Sequence, residues 1–370
     1  MRRPTRRHVL AGLALSGLAA RRALAAGHNL TDAELDAGLA LLARAPSVDL
    51  HSHAGRFFVE AGEGATPLGQ SLGKPFVGEA LRGSHRLGVG AVCLSAVADY
   101  RVLEAAPGGL RPARPFVPGE AYEDYRRQIG LLKAASRDSG LELARTAADV
   151  TRRWRAGNAS LVYTIEGGDF IEERPERIAE AASEGVRSIT IIHYRTNAIG
   201  DPQTAAPVHG GLSPFGRKVV AEMNRRGMVI DLSHASFDAV AQAAELSARP
   251  MILSHSNLKP LGVEHPRLIS LDHARLVARH GGVVAAMPGG AGVASLADFA
   301  TLVLRMIDQL GVDHVGVGTD MDFTFASVVP TYEAWALIPA ALLARGLSPD
   351  ETLKIVGGNA LRVLAATESH

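Results

Sequence analysis

The chain has 370 residues, with 39 lysines and arginines against 38 acidic residues and a hydrophobic share of 47%. That length is enough for one large α/β barrel or two smaller domains. No run of lysines or arginines follows residue 25, which excludes the basic patch that is typical of nucleic-acid binding. With Cys93 as its one cysteine the chain cannot form an internal disulfide, and the apolar run around Cys93 favours a buried thiol over a reactive one.

The first 25 residues have the pattern of an export signal. A basic start that includes Arg6-Arg7 precedes the apolar stretch 9–20, and Ala23-Leu24-Ala25 fits a cleavage site. The arginine pair is typical of twin-arginine signals, and the apolar stretch is shorter than the roughly 20 residues that a membrane-spanning helix needs. We therefore expect cleavage after Ala25 and a periplasmic or secreted mature chain, residues 26–370, that forms one domain with no membrane span.

Removal of this signal changes the charge of the protein. Residues 1–25 contain six arginines and no acidic residue, so the net charge falls from +1 to −5 when they are lost. The basicity of the full chain thus belongs to its signal, and we expect no nucleic-acid partner.

Eight short apolar runs alternate with amphipathic helical patterns. Runs of this kind are typical of parallel strands that are buried on both faces. The predicted strands are Ser47–His51, Gly88–Ser95, Leu161–Glu166, Val186–His193, Met228–His234, Pro250–His255, Gly282–Met287 and His314–Asp320. The predicted helices are Thr31–Arg44 with a capping box at its start, Glu120–Ala135, Pro175–Glu184, Phe215–Arg226, Ala235–Ser247, Leu271–His280 and Ser295–Leu310. Eight β/α alternations favour an α/β fold of the closed (β/α)8 TIM-barrel type over an open doubly wound sheet.

The connection from Val97 to Ser160 is long and holds the proline- and glycine-rich stretch Pro107–Pro118 together with two helical patterns. Loops that follow barrel strands often shape the active site. We therefore interpret this connection as an elaborated βα loop.

Six of the eight predicted strands end at side chains that bind metals or carry protons. These side chains are His51 with His53, Glu166, His193, His234, His255 and Asp320. In a barrel of this type the carboxyl ends of the strands meet at one face, where active sites lie. One histidine at a strand end is most often structural, but packing alone does not explain six strands that end in this way. The pattern predicts a shared site.

The donor set predicts two divalent metal ions. His51 and His53, at i and i+2 on a strand, point to the same face and would bind one ion, while His234 and His255 would bind the other. The carboxylate of Glu166 has two oxygens and would bridge the ions. Nitrogen and oxygen donors without a thiolate suit zinc, and also manganese or cobalt. A water molecule between two such ions loses a proton near neutral pH and becomes a nucleophile.

Several segments resemble the membrane (renal) dipeptidase family, which are metallopeptidases of the amidohydrolase superfamily. The resemblance runs from about Val48 to Leu364. The segments that carry it include Tyr163-Thr-Ile-Glu-Gly-Gly168, Ile192-His-Tyr-Arg-Thr-Asn197, Val219-Val-Ala-Glu-Met-Asn-Arg-Arg-Gly-Met-Val-Ile-Asp-Leu-Ser-His234, His265-Pro-Arg267 and His314-Val-Gly-Val-Gly-Thr-Asp320.

The resemblance implies a role for each matching residue. The zinc ligands would be His51, Glu166, His234 and His255. His193 would contact the substrate carbonyl and stabilise a developing oxyanion. Arg267 would bind the terminal carboxylate of the substrate, and Asp320 would take a proton from the attacking water and pass it to the leaving amine. Members of the family are often homodimers.

Three positions depart from the family pattern. His53 stands where the family usually has an aspartate, which adds about one positive charge to the site. His-x-His is common in the wider superfamily, so we still expect His53 to bind metal. Phe323 replaces a usual glycine and Leu268 a usual asparagine, and both residues are expected to narrow or reshape the pocket. These differences indicate a divergent subgroup.

Three functions are weighed on this basis. The first is an exported, zinc-dependent dipeptidase whose substrates include dipeptides with a D-residue at the carboxyl end. The second, which the change at His53 motivates, is an N-acyl-amino-acid deacylase or a lactonase that uses the same site. The third is a binding protein without catalysis. Retention of both His193 and Asp320, which metal binding alone does not require, argues against the third.

Overall fold

The computed structural model describes Ala25 and residues 27–60, 65–323 and 326–368. Apart from Ala25, the predicted export signal lies outside these residues. Export and cleavage therefore stay predictions.

Eleven strands occur in the described ranges. They are β1 (Ser47–Ser52), β2 (Val89–Val97), β3 (Leu103–Ala106), β4 (Gly109–Pro112), β5 (Glu142–Leu143), β6 (Ser160–Glu166), β7 (Val186–Thr190), β8 (Val229–Asp231), β9 (Ile252–Leu253), β10 (Val283–Ala286) and β11 (Val315–Val317). Eight of them lie side by side, all parallel, in the order β1-β2-β6-β7-β8-β9-β10-β11. The short β5 adds to β6, and β3 with β4 forms a separate antiparallel hairpin.

The ring of eight strands closes between β1 and the segment that follows β11. The Asp320 amide donates to the His51 carbonyl at 2.9 Å, and the His53 amide donates to the Met321 carbonyl at 3.0 Å. A parallel bridge also joins Ser52 to Met321. The predicted (β/α)8 TIM-type barrel is confirmed. Its closure brings the first and last strand ends, with their candidate ligands, next to each other.

All eight predicted strands are present, but several predicted ends extend too far. The run that begins at Val186 was predicted to continue to His193, whereas β7 ends at Thr190. The runs that end at His234, His255 and Asp320 also leave the strand two or three residues earlier. The apolar character continues past the last ladder hydrogen bond because the first residues of each loop are still buried beneath the site. The candidate ligands therefore stand on short segments just beyond the strands.

Thirteen α-helices lie in the same described ranges. They are α1 (Asp32–Leu42), α2 (Pro67–Leu72), α3 (Val77–Ala80), α4 (Glu120–Ser139), α5 (Ala147–Arg155), α6 (Glu176–Glu184), α7 (Pro214–Arg225), α8 (Phe237–Leu246), α9 (Leu271–Arg279), α10 (Leu296–Leu310), α11 (Leu337–Ala344), α12 (Pro349–Leu353) and α13 (Asn359–Thr367). The seven predicted helices are all among them. Thr31 forms the predicted capping box with Glu34. None of the described helices has the length and apolar character that a membrane crossing requires.

Helix α13 packs near the amino-terminal ends of the barrel strands. Its Val363 and Leu364 belong to the same buried apolar cluster as Val48, Leu50 and Cys93. A small cavity of about 30 Å³ lies among these side chains. The thiol of Cys93 is buried, as predicted, and that burial raises its pKa. This end of the barrel is an ordinary packed core.

Candidate metal centre

The five predicted metal ligands meet at the carboxyl-terminal face of the barrel and are all buried. His51, His53, Glu166, His234 and His255 each expose 2% or less of their surface. His234 has a φ of 69° in the left-handed region, an uncommon conformation for a non-glycine residue that costs free energy. The backbone thus turns sharply just after β8, where the chain leads the His234 side chain into the cluster.

The two histidines at the end of the first strand both lie beside Glu166, His53 at Oε2 and His51 3.5 Å from Oε1. Nε2 of His51 is 3.1 Å from Nε2 of His53, and Nε2 of His53 is 3.1 Å from Oε2 of Glu166. These three side chains form a group of possible metal donors whose ligand atoms all lie within 4.8 Å of one another.

The other two histidines lie against the second oxygen of Glu166. Nε2 of His234 is 2.9 Å from Nε2 of His255. Oε1 of Glu166 is 3.1 Å from the former nitrogen and 3.2 Å from the latter. Oε1 of Glu166 thus faces His234, His255 and His51, whereas Oε2 faces His53. The role of Glu166 as a bridge between two ions stays a prediction.

The donor atoms fit divalent metal ions. Two ligands at about 2.0–2.1 Å from a tetrahedral zinc ion are about 3.3 Å apart, close to the separations within each pair. Two uncharged imidazole nitrogens repel each other when their lone pairs face each other at 2.9–3.1 Å. A proton or a cation between them removes this repulsion. The nitrogen and oxygen donors suit zinc, manganese or cobalt.

Hydrogen bonds from the far side of the rings orient two of the ligands. Nδ1 of His53 donates to the Ser95 carbonyl at 3.0 Å, which leaves Nε2 free to bind a metal. Ser254 donates its hydroxyl proton to Asp231 at 2.6 Å and lies 2.9 Å from Nδ1 of His255, so that nitrogen donates to the Ser254 oxygen. Contacts of this kind fix the tautomer and the ring orientation of metal-binding histidines.

Two further buried carboxylates hold the segments that carry the ligands. Asp49 accepts hydrogen bonds from the Thr319 amide and hydroxyl, at 2.9 and 2.6 Å, and from the Tyr332 hydroxyl at 2.9 Å. Asp231 accepts from the Ser254 amide at 3.0 Å and from the Thr190 hydroxyl at 2.5 Å. Burial raises the pKa of Asp49 to about 6 in spite of these donors. Each carboxylate ties neighbouring strand ends together beneath the cluster.

Charges inside the cluster favour an anionic Glu166 and neutral imidazoles in the second pair. Burial alone would raise the pKa of Glu166, but the rings of His193 and His51 outweigh it and hold that pKa well below its ordinary value. Burial lowers the pKa of both His234 and His255, and the neutral ring is the form that binds a metal. Burial also opposes charge on His51, but the Glu166 carboxylate raises the pKa of His51 to about 9.

His193 stands at the edge of the cluster with its ring fixed by Asp99. Nδ1 of His193 donates to Oδ1 of Asp99 at 2.6 Å, and both side chains are buried. Nε2 of the ring faces the cluster, 3.3 Å from Oε1 of Glu166. The ring can therefore present Nε2 to a substrate that lies over the metal donors.

Asp320 reaches the first histidine pair from the opposite side. Its Oδ1 is 3.3 Å from Nε2 of His53 and 3.8 Å from Nε2 of His51. Its φ of 49° again places a non-glycine residue in the left-handed region at a ligand-bearing turn. With 8% exposure, Asp320 is the least buried member of the group, and it also lines the adjoining cavity.

Arg267 lies across a cavity from these groups. The cavity has a volume of about 350 Å³ and its walls include Glu166, His193, His234, His255, Asp320 and Arg267. Nη1 of Arg267 is buried and has no hydrogen-bond partner among the described residues. A buried guanidinium nitrogen without an acceptor is suited to an anionic group of a ligand.

The residues that depart from the family pattern also lie at this site. Phe323 and Leu268 both line the cavity, as expected of residues that reshape the pocket. The Phe323 ring packs on that of His53, with centroids 4.7 Å apart, and on Phe58 at 5.9 Å. His53 and Phe323 therefore change the site together, because the aromatic ring covers the outer side of the added imidazole.

Sequence reasoning missed several residues of the site. Asp99 follows β2 by two residues and obeys the same positional rule as the predicted ligands, but the predicted strand ended at Ser95, so Asp99 fell outside it. Tyr194 lies against Arg267. His265 also lines the cavity. In the sequence, only the closeness of Tyr194 to His193 and of His265 to Arg267 indicated that these two residues belong to the site.

The fold and the cluster define a class, that of barrel hydrolases with a metal centre at the carboxyl ends of the strands. The model of the membrane dipeptidase family, peptidase family M19, matches residues 63–370. The chain belongs to that family, whose members are hydrolases.

Curated relatives agree with this assignment. The chain is 33% identical over 284 residues to dipeptidase tcpJ of Claviceps purpurea, a match that covers 73% of this chain and 66% of the relative. It is 33% identical over 265 residues to dipeptidase verJ of Clonostachys rogersoniana, with 68% of each chain covered. The match thus spans about two thirds of the length of these relatives.

Solved structures share the fold. An amidohydrolase from Pseudomonas aeruginosa superposes with a TM-score of 0.72 at 20% identity and covers 89% of this chain and 98% of its own. A metallopeptidase from Rhodobacter sphaeroides, bound to a phosphinate mimic of L-Ala-D-Ala, gives 0.69 at 23% identity and covers 88% and 99%. At these identities the similarity supports the barrel fold.

Proposed function

We propose that this protein is a metal-dependent dipeptidase. The observation that carries the proposal is a cluster of five buried metal donors, three of which line one cavity of about 350 Å³ together with His193, Asp320 and an arginine with a free buried nitrogen. Metal binding alone would not require a second carboxylate and a fixed imidazole beside the cluster. A cavity of this size with a cation on one wall suits a short substrate with a free carboxylate.

We propose that two zinc ions bind here, one at His51 and His53, the other at His234 and His255, with Glu166 between them. When bound, such ions lower the pKa of a water molecule and polarise the substrate carbonyl. Zinc rather than manganese or cobalt is the choice that the histidine-rich donor set favours.

The remaining residues bind and orient the substrate and move its proton. Arg267 would hold the terminal carboxylate with its guanidinium, whose fork matches a planar anion better than an ammonium group does. This contact would place the peptide carbonyl near Nε2 of His193, which would donate to the oxygen as negative charge develops there. Oδ1 of Asp320 would accept the proton of the attacking water and return it to the leaving amine nitrogen.

Two finer features belong to the same proposal. Acceptance of a D-residue at the carboxyl end is supported by the Rhodobacter sphaeroides structure, whose ligand mimics L-Ala-D-Ala.

Export to the periplasm or beyond is supported by the Arg6-Arg7 pair, the apolar stretch and the alanine-rich cleavage pattern. A reporter fused to residues 1–30 tests export, which we expect to be lost when Arg6 and Arg7 are both replaced by lysine. A homodimer is also proposed, by analogy with the family, and light scattering of the mature chain tests it.

The experiment is hydrolysis of a panel of L,L and L,D dipeptides by the zinc-loaded mature chain, beside N-acetylated amino acids and lactones of similar size. We expect cleavage of several dipeptides and loss of activity after chelation. Cleavage of the acylated amino acids or the lactones with no cleavage of any dipeptide would contradict the proposal and support the deacylase or lactonase alternative that the change at His53 favours.

A further inference from the structure

The hairpin of β3 and β4 stands directly over the candidate active site. Its strands pair from Leu103 with Pro112 to Ala106 with Gly109, and Pro107 and Gly108 form the turn. An ion pair between Glu104 and Arg111, at 2.8 Å, braces the two strands on their exposed side. The hairpin is therefore a defined element of the long connection that follows β2.

The tip of this hairpin forms part of the cavity wall. Gly108 and Gly109 line the same cavity as Glu166, His193 and Arg267. A β-carbon placed on Gly109 would lie 3.2 Å from the Tyr194 hydroxyl, and one on Gly108 would lie 3.8 Å from Nε2 of His265. The tip thus reaches the Arg267 side of the cavity.

The two glycines make this close approach possible. Gly108 has a φ of 82° and Gly109 a φ of 145°, values that side chains with a β-carbon rarely adopt. A side chain at Gly109 would also crowd the Tyr194 hydroxyl, because 3.2 Å is tighter than ordinary van der Waals contact. Tyr194 in turn lies against Arg267. Hairpin, tyrosine and arginine therefore form one continuous wall.

We propose that this hairpin tip sets the length of the substrate. The proposal rests on the dipeptidase function, in which Arg267 holds the terminal carboxylate. A third residue beyond that carboxylate would extend the chain by about 3.3–3.6 Å, and the tip with Tyr194 and His265 occupies the space on that side. The hairpin is a specificity-determining element. A tripeptide that presents its first peptide bond to the metal donors is excluded by the wall as well as by the loss of its carboxylate contact.

The test shortens the hairpin without removing its base. Residues 106–109 are replaced by a single Asn-Gly turn between Ala105 and Leu110, which retains the pair of Glu104 and Arg111. The quantity measured is the ratio of kcat/KM for L-Ala-L-Ala-L-Ala to that for L-Ala-L-Ala. We expect this ratio to rise at least tenfold. The matched control, Arg152→Ala on the exposed face of α5, leaves the hairpin and its ion pair intact and should leave the ratio within twofold of wild type.

A C-terminal amide separates length from charge. L-Ala-L-Ala amide lacks the carboxylate but adds no residue, so the shortened hairpin should not improve its cleavage. An unchanged tripeptide ratio in a shortened variant with wild-type melting temperature and metal content would overturn the proposal. An equal rise in kcat/KM for the amide and for the tripeptide would also overturn the proposal, because the hairpin would then not discriminate substrates by their length.

A second variant keeps the proposal testable if the shortened chain misfolds. Gly109→Ala narrows the wall beside Tyr194, and we expect the ratio of kcat/KM for L-Ala-L-Leu to that for L-Ala-Gly to fall at least threefold. No change in this ratio would contradict the placement of the tip. Failure of the wild-type protein to cleave any dipeptide would instead refute the proposed function, whereas equal cleavage of dipeptides and tripeptides would refute the length limit alone.

Discussion

The two ends of the barrel are built from the same eight strands but differ in chemistry. At the amino-terminal end, side chains such as Val48, Cys93 and Val363 pack into an apolar core around a cavity of about 30 Å³. At the carboxyl-terminal end, buried imidazoles and carboxylates converge on a cavity of about 350 Å³. Most of the strands thus contribute packing at their start and reactive side chains just past their end.

We therefore expect substitutions at the carboxyl-terminal end to alter activity and substitutions at the amino-terminal end to alter stability. Buried polar groups cost free energy unless they are paired or bind a ligand. The carboxyl-terminal cluster accepts that cost, and two of its turns hold His234 and Asp320 at positive φ. The amino-terminal end is mostly apolar, although Arg187, whose Nε is buried without a hydrogen-bond partner among the described residues, also lines its cavity. The apolar side chains at this end stabilise the fold by packing.

The largest effect is expected when a metal ligand is removed. His255→Ala deletes one donor of the second pair, so the metal content should fall by one ion per chain and dipeptide hydrolysis by roughly four orders of magnitude. Metal analysis and steady-state kinetics measure both. The matched control is His314→Ala, at the amino-terminal start of β11, where Nδ1 bonds the Gly282 carbonyl. It should retain metal and activity, and equal losses in both variants would break the comparison of the two ends.

The next effect concerns proton transfer. Asp320→Asn keeps the shape of the side chain but removes its ability to take a proton, so kcat should fall about 10³-fold. Both metal ions should remain, because five other donors hold them. A variant that binds metal and keeps full activity would show that Asp320 does not carry the proton.

A smaller effect is expected at Asp99, which contacts His193 and not the substrate. Asp99→Ala removes the acceptor that fixes the His193 ring, and we expect kcat to fall roughly 10- to 100-fold, while KM and the metal content change little. Asp99→Asn, which retains an acceptor oxygen, should recover part of the rate. A loss confined to melting temperature, with normal kcat, would mean that Asp99 serves only the fold.

The smallest effect on catalysis belongs to the amino-terminal end. Val363→Ala removes two methyl groups from a side chain that is 1% exposed, and the free energy of unfolding should fall by about 1–2 kcal/mol. Denaturant unfolding measures this loss. The kcat per folded molecule should stay at the wild-type value, and a reduced kcat would mean that packing at this end is transmitted to the site.

The sequence predicted the barrel and the metal donors for one physical reason. Buried parallel strands appear as continuous apolar runs, and the barrel brings whatever follows them to one face. His234 and His255 were recognisable because each follows such a run directly. The assignment of donors to pairs rested on that convergence. It stays a prediction, because His51 also lies 3.5 Å from the Glu166 oxygen that faces His234 and His255.

Other parts of the site could not be predicted in this way. The strands of the hairpin are four residues each, and the stretch around Pro107 shows no alternation that would distinguish it from a loop. The close approach of Gly109 to Tyr194 joins two different loops, at positions 85 residues apart. Asp99 was missed because the end of β2 was placed two residues too early. Long-range contacts of loops depend on the whole fold, not on local periodicity.

The most direct test of the account is a metal titration of the chelated, mature chain, followed by hydrolysis of L-Ala-L-Ala and L-Ala-D-Ala at each step. We expect no activity without metal, a rise in activity with added zinc and a plateau at two ions per chain. The Glu166→Gln variant should show no such plateau. Full dipeptide hydrolysis by the metal-free chain, or a plateau that Glu166→Gln shares, would contradict the account.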